Sequence, residues 1–326
     1  MATPQSIVRP PTRAAVFLVG TVAEDGEPTV RDVLQDLASI VRSVAFRAPA
    51  DGLACVAGIG SDGWDRLFDG PKPRELHPFP ALDGPVHHAP ATPGDLLFHI
   101  RAQRMDLCFE LARQITDRLG PAVTVVDEVH GFKYFDERDL LGFVDGSENP
   151  EGGAADAAVH IADEDPRFRA GSYVVVQKYL HDLTAWGELS TEDQERAIGR
   201  SKASNVEFPD DVKPANSHVA LNTIVDANGV QHQILRENMP FGAVGGAEFG
   251  TYFIGYARTP SVTERMLRNM FLGDPPGTTD RILDFSRPVT GCLFFVPSQD
   301  FLDDATPDSG TTGGGSLGIG SLKGAS

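Results

Sequence analysis

Apolar runs and amphipathic segments take turns along the chain. The run from Ala14 to Thr21 predicts a strand. From Val30 to Phe46, Leu34, Leu37, Ile40, Val41 and Val44 recur at the spacing of one helical face. Leu53 to Ile59 and Asp95 to Ala102 predict two more strands, parted by a Pro- and Gly-rich loop from Asp69 to Gly94. Arg104 to Leu119 returns to helical spacing, with Leu107, Leu111 and Ile115 four apart, and Thr124 to His130 closes this half as a strand.

The second half repeats the order. Tyr173 to Tyr179 predicts a strand, and Thr191 to Gly199 a helix with Ser190 as its N-cap. Val219 to Val225 and Val230 to Arg236 flank the turn Asn228-Gly229 and predict a hairpin. Thr251 to Arg258 predicts a strand, Val262 to Phe271 a helix and Gly291 to Pro297 a last strand. "LLFHIRAQRMDLCFELARQI" and "TYFIGYARTPSVTERMLRNM" share a strand-to-helix layout, which points to duplication. The pattern therefore predicts an α+β protein of two halves, each an antiparallel sheet covered by helices on one face.

Composition narrows the function classes. The 326 residues suit two ordinary domains or one large core, and 41% apolar against 23% charged residues is the balance of a folded globular protein. A net charge of -18 argues against nucleic acid, whose phosphates need concentrated Lys and Arg. Cys55, Cys108 and Cys292 show no CxxC pairing, so neither a disulfide framework nor a zinc site is expected, and a reducing cytoplasm fits. No signal-like or membrane-spanning apolar run is present, so a soluble protein is expected.

From Asp303 the chain turns to Asp, Thr, Gly and Ser, too polar to fold alone. Its end, "GSLGIGSLKG", sets Leu317, Ile319 and Leu322 among glycines, either a plain loose terminus or a short adhesive segment on a tether.

Three segments carry candidate chemistry. In "GFVDGSENP", Gly142 to Pro150, Asp145 is framed by glycines that permit close backbone approach to a ligand; alone, Asp145-Gly146 also reads as a turn. "KPANSHVALNTI" places His218 at the entry to a predicted strand. A neutral imidazole there is a haem-iron ligand when a second group, such as Asp280, accepts from its other ring nitrogen; otherwise it is an ordinary solvated histidine. In "QILRENMPFG", Arg236 and Asn238 are two apart and project from one face of an extended chain toward one ligand, against the alternative of a surface salt bridge and a turn.

Together these segments resemble the dye-decolorising peroxidases, in particular their bacterial B-type branch, over about Arg13 to Ser298. The resemblance implies two ferredoxin-like domains of the dimeric α/β-barrel type, at 1–140 and 141–302, with a flexible tail at 303–326. It also implies non-covalent haem b held mainly by the C-terminal domain, with His218 as axial iron ligand and Asp280 and Arg236 beside the cofactor. Catalysis would fall to Asp145, Arg236 and Asn238. Asp145 would move a proton from the inner to the outer oxygen of hydrogen peroxide. Arg236, the more indispensable of the two, would stabilise the developing negative charge, and Asn238 would orient peroxide or a bridging water. His218 donating to Asp280 would gain imidazolate character.

Dyes, phenols or other small organic donors would return the electrons. Donors too bulky for the pocket would need a relay through surface rings such as Tyr179, Tyr252 or Trp186, although burial is the ordinary fate of such rings. The tail "SLGIGSLKG" resembles the cargo-loading peptide of peroxidases packaged in encapsulin shells, with Leu317, Ile319 and Leu322 filling apolar pockets on the shell's inner wall. The family also suggests dimers assembling into a hexamer. The competing readings are a protein that handles haem or its iron without peroxidase turnover, and a non-enzymatic α+β barrel made to be packaged.

Overall fold

Strands from both halves of the chain join one antiparallel sheet in the computed structural model, which describes residues 2–304 except Ala247. The first half supplies β1 (Ala14–Val22), α1 (Glu27–Ala45), β2 (Ala54–Gly60), β3 (Leu96–Ala102), α2 (Met105–Leu119) and β4 (Val123–Phe132). The second supplies β5 (Ser172–His181), α3 (Thr191–Ile198), α4 (His218–Asn222), β6 (Leu235–Arg236), β7 (Met239–Ala243), β8 (Glu248–Ala257), α5 (Pro260–Leu272), β9 (Ser286–Pro288) and β10 (Cys292–Val296).

Across the sheet the order is β6-β8-β5-β10-β2-β3-β1-β4, with β7 also paired to β8 and β9 to β5. Each half thus has the βαββαβ order of a ferredoxin-like unit, and the two repeated sequence segments fall on β3–α2 and β8–α5, equivalent places in the two halves. The expected sheets of the two halves run together through a seam at which Phe294 and Phe295 pair with Gly60 and Ile59.

The central strands show little alternation because both of their faces are covered. On one face the helices lay Leu34, Leu37, Leu111, Ile115, Leu267 and Phe271 against the sheet. On the other face the sheet closes on itself, with Phe17 of β1 stacked on Tyr252 of β8 at 4.2 Å between ring centroids. A strand buried on both sides reads as a continuous apolar run, which is the pattern of Ala54–Gly60.

The chain departs from expectation after Ser217. Val219 to Val225 does not start as a strand: His218–Asn222 is one helical turn capped by the Ser217 hydroxyl, and only Ile224–Val225 pairs with Gln231–His232 beyond it. Helix Gln299–Asp303 takes in Asp303, where composition places the start of the tail. Leu317, Ile319 and Leu322 lie outside the described residues.

Candidate active site

The structure brings His218, Asp145, Arg236 and Asn238 to one cavity in the second half of the chain. Its empty volume is about 1400 Å³, the open mouth included. The apolar share of its wall comes from side chains such as Phe143, Ile198, Phe253, Leu267 and Met270.

His218 opens helix α4, and the Ser217 cap fixes where that turn begins. Nδ1 of His218 lies 2.8 Å from Oδ2 of Asp280, a fully buried carboxylate whose Oδ1 accepts from the N–H of Ile282. Because a carboxylate only accepts, Nδ1 carries the proton. Nε2 is left as the neutral, lone-pair nitrogen, and no described residue bonds to it. Asn222, one turn on, donates to the His218 carbonyl at 2.8 Å and steadies the turn.

Asp145 is presented by a tight loop. Its own N–H donates to Glu137, and the loop behind it is closed by Phe143 donating to Oδ1 of Asp139 while the Asp139 N–H donates back to Phe143. Gly142 and Gly146 hold φ of 92° and 75°, left-handed backbone that a side chain at either position would strain. The Asn238 carboxamide is oriented by the backbone: its Oδ1 accepts from the N–H of Ile254 at 3.0 Å, so Nδ2 faces Asp145 and donates to Oδ1 at 3.2 Å. Asn238 lines the cavity as well as bridging the backbone and Asp145.

Arg236 is held by its main chain. Asn149 accepts from the Arg236 N–H at 2.9 Å and donates to the Arg236 carbonyl at 2.7 Å. The guanidinium is in no ion pair with a carboxylate among the described residues, and its Nε is buried without a hydrogen-bond partner. A cation whose Nε–H is buried without a partner calls for an anion or a strong acceptor in the cavity. The surface salt bridge considered for this residue is absent.

Asp139 also lines the cavity, and its acidity is altered. Removal from water, reinforced by the nearby Asp145 charge, raises its carboxyl to about 7 against the pull of the Phe143 N–H. Sequence reasoning passed over both Asp139 and Asn149, and Asp139 carried no local signal. The signal for Asn149 was its place four residues after Asp145 in the same glycine-framed segment. The three rings offered as surface relays are all buried: Tyr179 at 8% exposed, Trp186 at 3% and Tyr252 at 0%.

These features suit a flat apolar group carrying a metal and an anionic edge. The cavity supplies an apolar slot, a neutral imidazole nitrogen backed by a buried carboxylate, and an unpaired cation. The haem implied by the sequence resemblance is such a group. Among the described residues no cluster of His, Cys, Asp and Glu is built to hold a bare metal ion.

Residues 4–133 match the family Dyp-type peroxidase, N-terminal, and residues 136–301 match Dyp-type peroxidase, C-terminal. A dye-decolorizing peroxidase of Rhodococcus erythropolis is 61% identical over 99% of this chain and 97% of its own. The encapsulated DyP-type peroxidase from Mycobacterium smegmatis, a cryo-EM structure, superposes with a TM-score of 0.93 at 61% identity, covering 94% of this chain and 99% of that one. A DypB variant from Rhodococcus jostii RHA1 in complex with heme gives a TM-score of 0.91 at 60% identity, covering 92% and 97%.

Proposed function

The chain belongs to the Dyp-type peroxidase family, and on that premise we propose that this cavity holds haem b through His218 and reduces hydrogen peroxide at the expense of small one-electron donors such as dyes or phenols. The observation that carries the proposal is the pairing of an imidazole nitrogen free to bind iron with an unpaired cation and a carboxylate in the same cavity. Held by His218, the haem would supply redox-active iron for the two-electron reduction of peroxide.

The protein's own part is proton handling and charge. Asn238 occupies Oδ1 of Asp145, which leaves Oδ2 to take the proton from the inner oxygen of peroxide and return it to the outer one. Arg236, always charged, offers its unpaired N–H groups to the peroxide anion and to the oxygen that leaves as water. Asp280 holds the proton of His218 Nδ1, fixing the tautomer and enriching the ring in electron density.

Reconstitution with haem tests the assignment. Wild type should gain a Soret band and oxidise a phenol with peroxide. His218→Ala should lose the axial-histidine spectrum, and Arg236→Ala should bind haem yet react slowly with peroxide. An Arg236→Ala protein that reacts as fast as wild type would overturn the assignment.

The C-terminal segment extends the proposal. A relative at 61% identity is described as encapsulated, and the Leu317, Ile319 and Leu322 pattern suits docking to an encapsulin shell in the cytoplasm. Co-expression with a shell protein should package the full chain. A chain ending at residue 302, or with those three residues changed to Ala, should be left outside.

A further inference from the structure

The alternation that turns Arg236 and Asn238 toward the cavity turns Glu237 away from it. Its carboxylate enters the apolar interior enclosed by the curled sheet, where Oε2 lies 2.8 Å from Nη1 of Arg101. Both side chains are withdrawn from water, Arg101 at 1% and Glu237 at 9% exposed. Arg101 is fixed at its other end by donating through Nη2 to the carbonyls of Ser6 and Ile7, at 2.7 and 2.5 Å.

Arg101 stands on β3 in the first half, far along the chain from the cavity, whose lining residues all fall at Asp139 or later. The segment it grips has little regular pairing of its own: strand β6 is two residues long, pairing Leu235 with Tyr256 and Arg236 with Gly255. Its other ties are the Asn149 carboxamide on the Arg236 backbone and the bonds of Glu237 and Asn238 to the backbone of Ile254. A buried ion pair is a poor source of stability, since apolar residues of similar volume often serve as well, but it sets register where pairing is short.

We infer that the Arg101–Glu237 pair is a positioning device for the peroxide side of the site, through which the first half of the chain holds segment 235–238 where Arg236 and Asp145 meet one ligand. The inference rests on the peroxidase reading above. Neither residue touches the ligand; both act through Arg236 and Asn238.

The test uses the haem-loaded full chain with Glu237→Gln, Arg101→Gln and the double variant. Two quantities are read: kcat/KM for hydrogen peroxide, and the affinity of the resting ferric protein for fluoride, which reports the placement of Arg236 without turnover. Each single variant should lower both by about tenfold, because a displacement near an ångström is costly at a reacting centre. Haem content, the axial-histidine spectrum and KM for the reductant should stay as in wild type. The double variant should lose about as much as one single variant, not the product of both, because the two residues form one unit.

Wild-type fluoride affinity and kcat/KM in haem-loaded Glu237→Gln would overturn the inference. So would a double variant, neutral on both sides, that no longer retains haem, since the pair would then be a requirement for folding. Should wild type bind fluoride and haem but show no turnover with peroxide, the peroxidase reading fails while the fluoride titration still decides the role of the pair.

Discussion

Arg236 and Asp145 divide the work by charge: one is a fixed cation, the other a proton carrier with a single oxygen to spare. Arg236→Ala should lower kcat/KM for peroxide by about 100- to 1,000-fold, the loss seen when a donor to developing charge is removed. Stopped-flow reaction with peroxide measures it. Asp280→Asn keeps an acceptor for His218 Nδ1 but removes the charge, so haem should stay bound while turnover falls about 10- to 100-fold. Asp139 gives a pH signature of its own. Its carboxyl sits at about 7 in the folded chain and near 3.9 when unfolded. Folding therefore favours the protonated form, a contribution in full force below the unfolded value and lost as pH rises through about 7. Asp139→Asn should make the protein more stable than wild type at pH 8 but not at pH 4, by thermal melts at both. A constant difference across that range would refute the assignment.

Elements differ in how far the sequence exposes them. Asn149→Ala strips both hydrogen bonds from the backbone of Arg236, and leaving such groups unmade costs about 1–3 kcal/mol each. Peroxide reactivity should fall along with the melting temperature; a fall in stability alone would mean that Asn149 does not govern Arg236. Long apolar runs such as Ala14–Val22 and amphipathic helices such as Met105–Leu119 were legible because many residues repeat one signal. The turn at His218–Asn222 was not, since five residues are too few for helical periodicity and Val219 favours a strand. Its one local mark was Ser217 as cap. His218, Asp145 and Arg236 were recognisable as residue types in distinctive segments. The orientation of Asn238 was hidden because it depends on the N–H of Ile254, sixteen positions away. Asp139 was hidden because its weakened acidity follows from burial.

The two halves share one ladder of backbone hydrogen bonds and one interior at Phe17 and Tyr252. Phe17→Ala should therefore cost about 3–5 kcal/mol, the usual range for emptying a buried aromatic site. Calorimetry should show both halves melting in a single shifted transition. Two separate transitions would mean that the seam at Phe294–Gly60 does not couple them. Strand Cys292–Val296, the last of the sheet in sequence, is inserted near its middle, between Ser172–His181 and Ala54–Gly60. The ladder therefore cannot close until its latest strand has been made, so earlier strands wait with their pairing edges open to one another.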